Sequence, residues 1–431
     1  MIATAHTVPA KYDTTGHCLG LKLKPRYKQM GKNMGEAMKR FLITSVSCLV
    51  LATAARAEDI KIGIEMGFTG PIETLTPPMA AAGELAIKEV NDSGAFLDGS
   101  KITAVRGDET CIDAGAATAT AERLVTSDKV SGIIGPTCSG AASAVLTNVA
   151  IPNGIVLISP SATSPGLSTI ESNGLFFRTA PSDAREGEVL AQIMIDRGLK
   201  SAAITYTNND FGKGSAAALQ AAFEKLGGKI TLSAPHEDGK GDYSAEVGAL
   251  AAAGGDALVV AGYSDQGGAG IVQTVLDTGA FSKFVFPNGM WGEALLKKFG
   301  SQIDGAFGDI PGTDSPGAAK MLEMATAAGI NGTATLVSET YDAAAIMMLA
   351  MQAAGSAKPA DYKGKIMDVV NAPGEKIYPG DLAKALKILK EGGDIDYVGA
   401  SAAEFIGKGE SAGAYREVEV ENGAMKTVKF H

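Results

Sequence analysis

Short Val/Ile-rich runs alternate with Ala-rich amphipathic segments along most of this chain, and after Pro181 the alternation starts again. Alternation of that kind specifies strand–helix units of an α/β fold rather than a bundle or a sandwich. The pattern predicts strands at 60–66 and 102–107, with helices at 78–90 and 114–126. Ala180-Pro181-Ser182 reads as a crossing. Beyond it the pattern predicts helices at 186–197, 211–226, 244–253 and 269–278, between strands at 202–206, 230–233, 257–261 and 284–287. Residues 305–312 read as a second crossing. Helices at 340–354, 363–370 and 382–391 come next without intervening strands, so they are expected to pack back on the first lobe. Strand-like pieces at 403–406, 416–421 and 425–430 end the chain. The expected architecture is α/β, with 58–180 and 311–396 in one lobe and 181–310 and 397–431 in the other. Ligands of open α/β sheets bind outside the carboxyl ends of the strands, which places a shared site in the cleft between lobes.

Two turns give that cleft a chemistry. The apolar run 130–134 ends in Gly135-Pro136-Thr137-Cys138-Ser139-Gly140, and the run 155–158 ends in Ser159-Pro160-Ser161-Ala162-Thr163-Ser164. A helix start leaves backbone N–H groups unpaired, and a hydroxyl beside them makes a small anion site. Two such turns can converge on one carboxylate.

The N-terminal region reads as an export signal. From Met34 or Met38 the chain carries Lys39-Arg40, the apolar stretch 41–51 and then Ala55-Arg56-Ala57, an A-x-A cleavage pattern. Cleavage is expected after Ala57, delivering the protein to the periplasm. Residues 1–33 carry no fold signal and are explained by an upstream start codon. Removal of residues 1–57 takes nine basic and two acidic residues and leaves 29 against 46, net −17. Such a charge argues against nucleic acid or an anionic membrane as partner. Of the four cysteines, Cys18 and Cys48 fall in the removed part. Cys111 and Cys138 are then expected to pair in an oxidising compartment, the alternative being two free buried thiols. A metal site is not expected, because only His236 and His431 remain and neither has a second good ligand nearby.

Several ordered segments resemble a known family. Ile60-Lys61-Ile62-Gly63-Ile64 with Gly67-Phe68-Thr69-Gly70-Pro71, then Ala86-Ile87-Lys88-Glu89-Val90-Asn91, the two cysteines, Ile158-Ser159-Pro160-Ser161-Ala162-Thr163, Asn209-Asp210-Phe211-Gly212 and Gly262-Tyr263-Ser264-Asp265 occur in the order seen in branched-chain amino acid binding proteins of ABC importers. The resemblance implies a type I periplasmic binding fold with two Rossmann-like lobes and a multi-strand hinge. It implies that Ser139 and Thr163 hold a ligand carboxylate. It also implies that the Ser161 carbonyl and the Thr163 hydroxyl help with an ammonium, and that Phe211 and Tyr263 close from the second lobe. Where the family usually places an acid to pair with the ammonium, this chain has Asn288. Either Asp265 or a water supplies that contact, or the ligand is not a simple amino acid. The segment Glu73-Thr74-Leu75-Thr76-Pro77-Pro78 stands where the family has a specificity loop. Trp291 is expected near the cleft, where packing is its simplest role. The resemblance further implies a small-molecule ligand, a membrane permease as partner and a monomer.

An enzyme is the competing class. The chain has no P-loop or H-E-x-x-H. Gly212-Lys213-Gly214-Ser215 lacks Walker spacing and reads as a helix start. Gly267-Gly268-Ala269-Gly270 lacks the rest of a dinucleotide fingerprint, so no cofactor is expected. A third reading keeps the fold and changes the ligand to an aromatic acid, amide or urea, or makes the protein a ligand-presenting sensor component.

Overall fold

The structure is a computed structural model that describes residues 59–431. The signal segment, Cys18 and Cys48 lie outside the described residues. Two seven-stranded sheets carry the described chain. The first contains β1 (Asp59–Met66), β2 (Lys101–Asp108), β3 (Ile133–Ile134), β4 (Leu157–Ser159) and β5 (Phe176–Pro181), in the order β2-β1-β3-β4-β5 and all parallel. The second contains β6 (Ser201–Thr207), β7 (Lys229–His236), β8 (Ala257–Ala261), β9 (Phe284–Phe286) and β10 (Phe307–Pro311), in the order β7-β6-β8-β9-β10, again parallel. The two sheets thus repeat one winding. In each, strand order reverses beside the first strand, which opens a crevice at the carboxyl ends there.

Local chemistry sets these elements. Every residue of β8, Ala-Leu-Val-Val-Ala, is buried, as a parallel strand covered on both faces requires. The helix Thr76–Ser93 has proline in its first turn, where a missing N–H costs nothing, and ends at Gly94 with φ +63°, whose N–H closes on the Asn91 carbonyl. The helix Val337–Ala354 is buried nearly all round and belongs to the first lobe's core. Gly135 has φ +120°, and a Cβ there would stand 2.1 Å from the Glu65 carbonyl oxygen, so the first turn needs glycine.

The chain passes between the sheets three times. β5 runs into the helix Asp183–Asp196 of the second lobe, and β10 leads back to the helix Pro316–Ala327. The third passage corrects the expected segment 397–431. β13 (Phe405–Ile406) and β14 (Glu410–Ser411) extend the first sheet through β14–β5 pairing, and only β15 (Tyr415–Glu421) and β16 (Ala424–Phe430) join the second. Phe405 stacks on Phe177 at 6.2 Å and exchanges two hydrogen bonds with the Asn371 side chain, which ties this stretch to the first lobe. The region after 312 also holds a small parallel sheet, β11 (Glu375–Ile377) with β12 (Ile395–Tyr397), too short to show a period in the sequence. The helix Pro316–Ala327 is a further addition to the expected pattern; Ser315 caps it and Pro316 opens it.

Cys111 and Cys138 form a disulfide that joins the loop after β2 to the turn after β3, with Cα atoms 5.2 Å apart. The cysteines are 27 residues apart. Replacing both by serine is therefore expected to lower unfolding stability by about 3 to 4 kcal/mol, the chain-entropy value for such a loop. Urea denaturation midpoints of the two proteins check this, and coincident curves would refute it.

Candidate functional site

The two strand-end turns converge as the sequence suggests. The Ser159 hydroxyl donates to the Pro136 carbonyl at 2.6 Å, and the Ser164 N–H donates to Ser139 Oγ at 3.2 Å. Not every N–H group in them is open to a ligand, however. Glu109 Oε1 accepts from the Thr137 and Cys138 N–H groups at 3.1 and 2.9 Å and from the Thr137 hydroxyl. Ser159 Oγ accepts from Ser161 N–H at 3.4 Å and Ala162 N–H at 2.9 Å. The groups left at the cavity include the N–H of Ser139, first of the helix Ser139–Val145, and the Ser139 and Ser161 hydroxyl protons.

From the second lobe come Phe211 and Tyr263, stacked with ring centroids 5.3 Å apart and packed against the first lobe's core. Asn209 positions both. Its side-chain oxygen caps the helix Asp210–Lys225 through Gly212 N–H at 3.0 Å, and its amide nitrogen donates to the Tyr263 hydroxyl at 3.2 Å. Gly289 stands beside them; a Cβ there would meet the Phe211 ring at 3.0 Å and the Gly262 carbonyl at 2.6 Å.

The cavity between these walls is small, about 30 Å³. Ser139, Ser161, Phe211, Tyr263 and Asn288 line it, together with Thr137 and Cys138. One side is apolar, built by Ile72, Leu75 and Met79, and Thr335 and Leu336 complete the rim. Leu75 lies in the segment expected to set specificity. No local pattern marks Leu336, which reaches the cavity from a left-handed backbone with φ +65° just before a helix.

Three expected residues stand elsewhere. Ala162 is fully buried behind Ser161, its carbonyl accepting from Arg178 at 3.2 Å. Thr163 is buried too, its carbonyl taking the Asp183 N–H at 2.9 Å. Asp265, expected to face an ammonium, instead sits at the mouth of the cleft and does not line the cavity. Its carboxylate accepts from Thr74 N–H at 2.9 Å and from the Thr74 hydroxyl at 2.7 and 2.8 Å, bridging the lobes. Trp291 is a packing residue: its ring N–H donates to the Phe286 carbonyl at 2.8 Å inside the second core.

Acids that the sequence does not single out surround the cavity. Burial pushes the Glu109 carboxyl up to about 8, against the pull of its hydrogen bonds from Thr137 and Cys138. At neutral pH it is protonated, so the first turn presents no negative charge to a carboxylate. Glu65, also buried, lies close enough to Glu109 for repulsion to add to its own desolvation. Asn288 donates its backbone N–H at 2.8 Å and its side-chain amide at 2.7 Å to Glu186 Oε1. Among the described residues no group of three or more potential ligands could hold a metal ion, and no helix is long and apolar enough to cross a membrane.

The periplasmic binding protein family matches residues 59–371. The Leu/Ile/Val-binding protein homolog 1 of Brucella melitensis is 30% identical over 333 residues, 75% of this chain and 86% of the relative. A leucine-binding protein of Thermotoga maritima shares the fold with a TM-score of 0.73 at 19% identity, over 86% of this chain and 98% of its own. A solute-binding protein of an ABC transporter from R. palustris, in complex with benzoate, does so with a TM-score of 0.70 at 17% identity, over 86% and 96%.

Glu109 carries a pH signature. Between its ordinary value of 4.5 and its raised value of about 8, the folded chain keeps a proton that the unfolded chain releases. Stability therefore falls as pH rises through that window. Glu109→Gln keeps an acceptor for Thr137 and Cys138 and removes this contribution. Its melting temperature is expected to decline less steeply from pH 5 to 8 than that of the wild type, and parallel declines would refute the assignment.

Proposed function

The chain belongs to the periplasmic binding protein family, and from that premise we propose that it captures a small carboxylate ligand in the interlobe cleft and delivers it to the permease of an ABC importer. The ligand class favoured is the aliphatic amino acid. The observation that carries this reading is the cavity's division into a polar end, with Ser139 and Ser161, and an apolar side, with Ile72, Leu75 and Met79. The relative from Brucella melitensis, named for leucine, isoleucine and valine, supports it.

The Ser139 N–H and the two serine hydroxyls would take the carboxylate. Charge-assisted hydrogen bonds of this kind contribute on the order of 1.5 to 3 kcal/mol each, so a few of them with apolar burial reach micromolar affinity. Thr163 would act from behind, through its hydroxyl. Phe211 and Tyr263 would cover the ligand as the lobes close, and the Thr74–Asp265 contact would hold the mouth shut. This is a binding role without catalysis, in a protein placed in the periplasm by its signal segment and working as a monomer.

A second reading, an aromatic acid, has its own support. The stacked Phe211–Tyr263 pair offers a face to a ring, no acid side chain among the described residues lines the cavity, and the benzoate-bound protein of R. palustris shares the fold. A thermal-shift screen separates the two. Leucine, isoleucine, valine or alanine is expected to raise the melting temperature; if none does while benzoates do, the amino-acid reading is wrong. Ser139→Ala and Ser161→Ala are each expected to weaken the bound ligand about tenfold without unfolding the protein. Wild-type titration curves for both would remove the carboxylate site.

A further inference from the structure

The three passages between lobes meet at a cluster of carboxyls that the carboxylate site does not use. Asp183 and Glu186 start the helix after β5, Asp309 lies on β10, and Tyr415 and Glu417 lie on β15. Asp183, Glu186 and Asp309 are 1%, 2% and 0% exposed. Asp183 and Glu186 are within hydrogen-bond reach of each other, a pair able to share a proton, while neither Asp309 carboxylate oxygen takes a hydrogen bond from another described residue. A buried carboxyl left unsatisfied in this way is costly to the fold alone.

The cluster touches the cavity at one place. Glu186 Oε1 accepts both the backbone N–H and the side-chain amide N–H of Asn288. With one amide N–H committed to Glu186 and the other to Asp183, the Asn288 side chain has only its carbonyl oxygen left for the cavity it lines. That oxygen is an acceptor backed by an acid, a suitable contact for a cation. Glu109 is unsuited to the task, because its inner oxygen already serves the turn proposed to hold the carboxylate.

Resting on the amino-acid reading above, we propose that the Asp183–Glu186–Asp309 cluster is the counter-charge for the ligand's α-ammonium, transmitted through Asn288, and that binding expels a proton from the cluster to solvent. It takes the place of the acid that residue 288 lacks.

The surrounding charges set the direction of the effect. Arg178 is the cation acting on Asp183, and it is shared with the Ala162 and Ser164 carbonyls, Ser168 and Glu410. Glu417 repels Asp309 but is itself paired with Arg197 and His431, while burial first, and then the field of all three acids, keeps the Tyr415 hydroxyl protonated. Thr163 and Asn288 both favour the Asp183 anion. Burial first, and then mutual repulsion for Glu186 and Asp309, hold the carboxyls above their ordinary range, so the empty site retains protons. An ammonium at Asn288 favours the ionised cluster. The ligand is a zwitterion of zero net charge, but its ammonium alone sits beside the cluster, so one positive charge arrives there and up to one proton leaves.

Calorimetry of the wild type with leucine, in two buffers of different ionisation heat, is expected to show net proton release, with leucine affinity rising from about pH 5 to 7. The amine-free analogue 4-methylpentanoate should release none. Glu186→Gln, whose amide oxygen still accepts from Asn288, is expected to weaken leucine tenfold or more and abolish its proton release, without a matching loss for 4-methylpentanoate. Leucine binding to the wild type without proton release overturns the inference and needs no variant to show it. Equal loss for both ligands overturns it too, while leaving the amino-acid reading standing. Failure of the wild type to bind any aliphatic amino acid, while benzoate binds, overturns that reading itself and this inference with it.

Discussion

A carboxyl taken out of water without a cation must be protonated, hydrogen-bonded or strained, and this molecule buries such groups all round its cleft. Glu65 and Glu109 lie under the first turn, and Asp183, Glu186 and Asp309 lie among the passages between lobes. A core of similar shape without them would be as compact, so packing alone does not account for their presence. Two of them, Glu109 behind Thr137 and Glu186 behind Asn288, stand one side chain away from the cavity. Glu109 fixes the first turn by taking two of its N–H groups, which leaves the Ser139 N–H and the serine hydroxyls as the open donors there. Glu186 fixes the Asn288 amide and so decides which of its two polar atoms the cavity sees. In both cases the acid acts through a neighbour whose orientation it sets.

The repeated strand order explains why those neighbours meet. In each sheet the reversal beside the first strand leaves a crevice, and the crevices of the two lobes face each other. The first is built from the turns after β3 and β4, stitched by Ser159 and Ser139. The second is built from the turns after β6 and β8, stitched by Asn209, which caps one helix and reaches the Tyr263 hydroxyl. A single winding, used twice, supplies a polar wall and an aromatic wall. The difference lies in the residues just past each strand: serine and threonine in the first lobe, Phe211 and Tyr263 in the second.

Much of this is legible from the chain because it is local. Strand–helix alternation, the two turns and the cysteine pair are patterns over a few residues, and the strands and helices of 59–286 agree with them closely. The features that escape such patterns depend on contacts between distant segments. β13 and β14 join the first sheet because of what β5 presents to them, and no periodicity in 397–411 reports that. The role of Asp265 is hidden for the same reason. Nothing near it in sequence reveals Thr74 across the cleft, 191 residues away. Leu336 enters the cavity through an unusual backbone angle that leucine does not advertise. Buried acids are the hardest to foresee, since Asp183 and Glu186 in the first turn of a helix look like ordinary favourable charges at its positive end.

The contacts that hold the lobes together bear on how closure works. Thr74–Asp265 is exposed to water, and Asn331 with Glu293 is another exposed polar pair across the cleft. Thr335 to the Trp291 carbonyl, at 2.7 Å, is a single buried hydrogen bond. Exposed polar pairs of this kind contribute little each, because water competes for the same groups. Contacts so weak do not commit the molecule to one state. The apolar cavity wall and the Phe211–Tyr263 pair, which already pack against the first lobe's core, contribute much more. A ligand shifts an opening equilibrium only by the difference in its affinity for the two forms. On the function proposed above, that difference would be concentrated in groups that come from opposite lobes, the Ser139 turn on one side and Phe211, Tyr263 and Asn288 on the other. A ligand held by one wall alone would gain nothing from closure, whereas a ligand that touches both gains the whole of it.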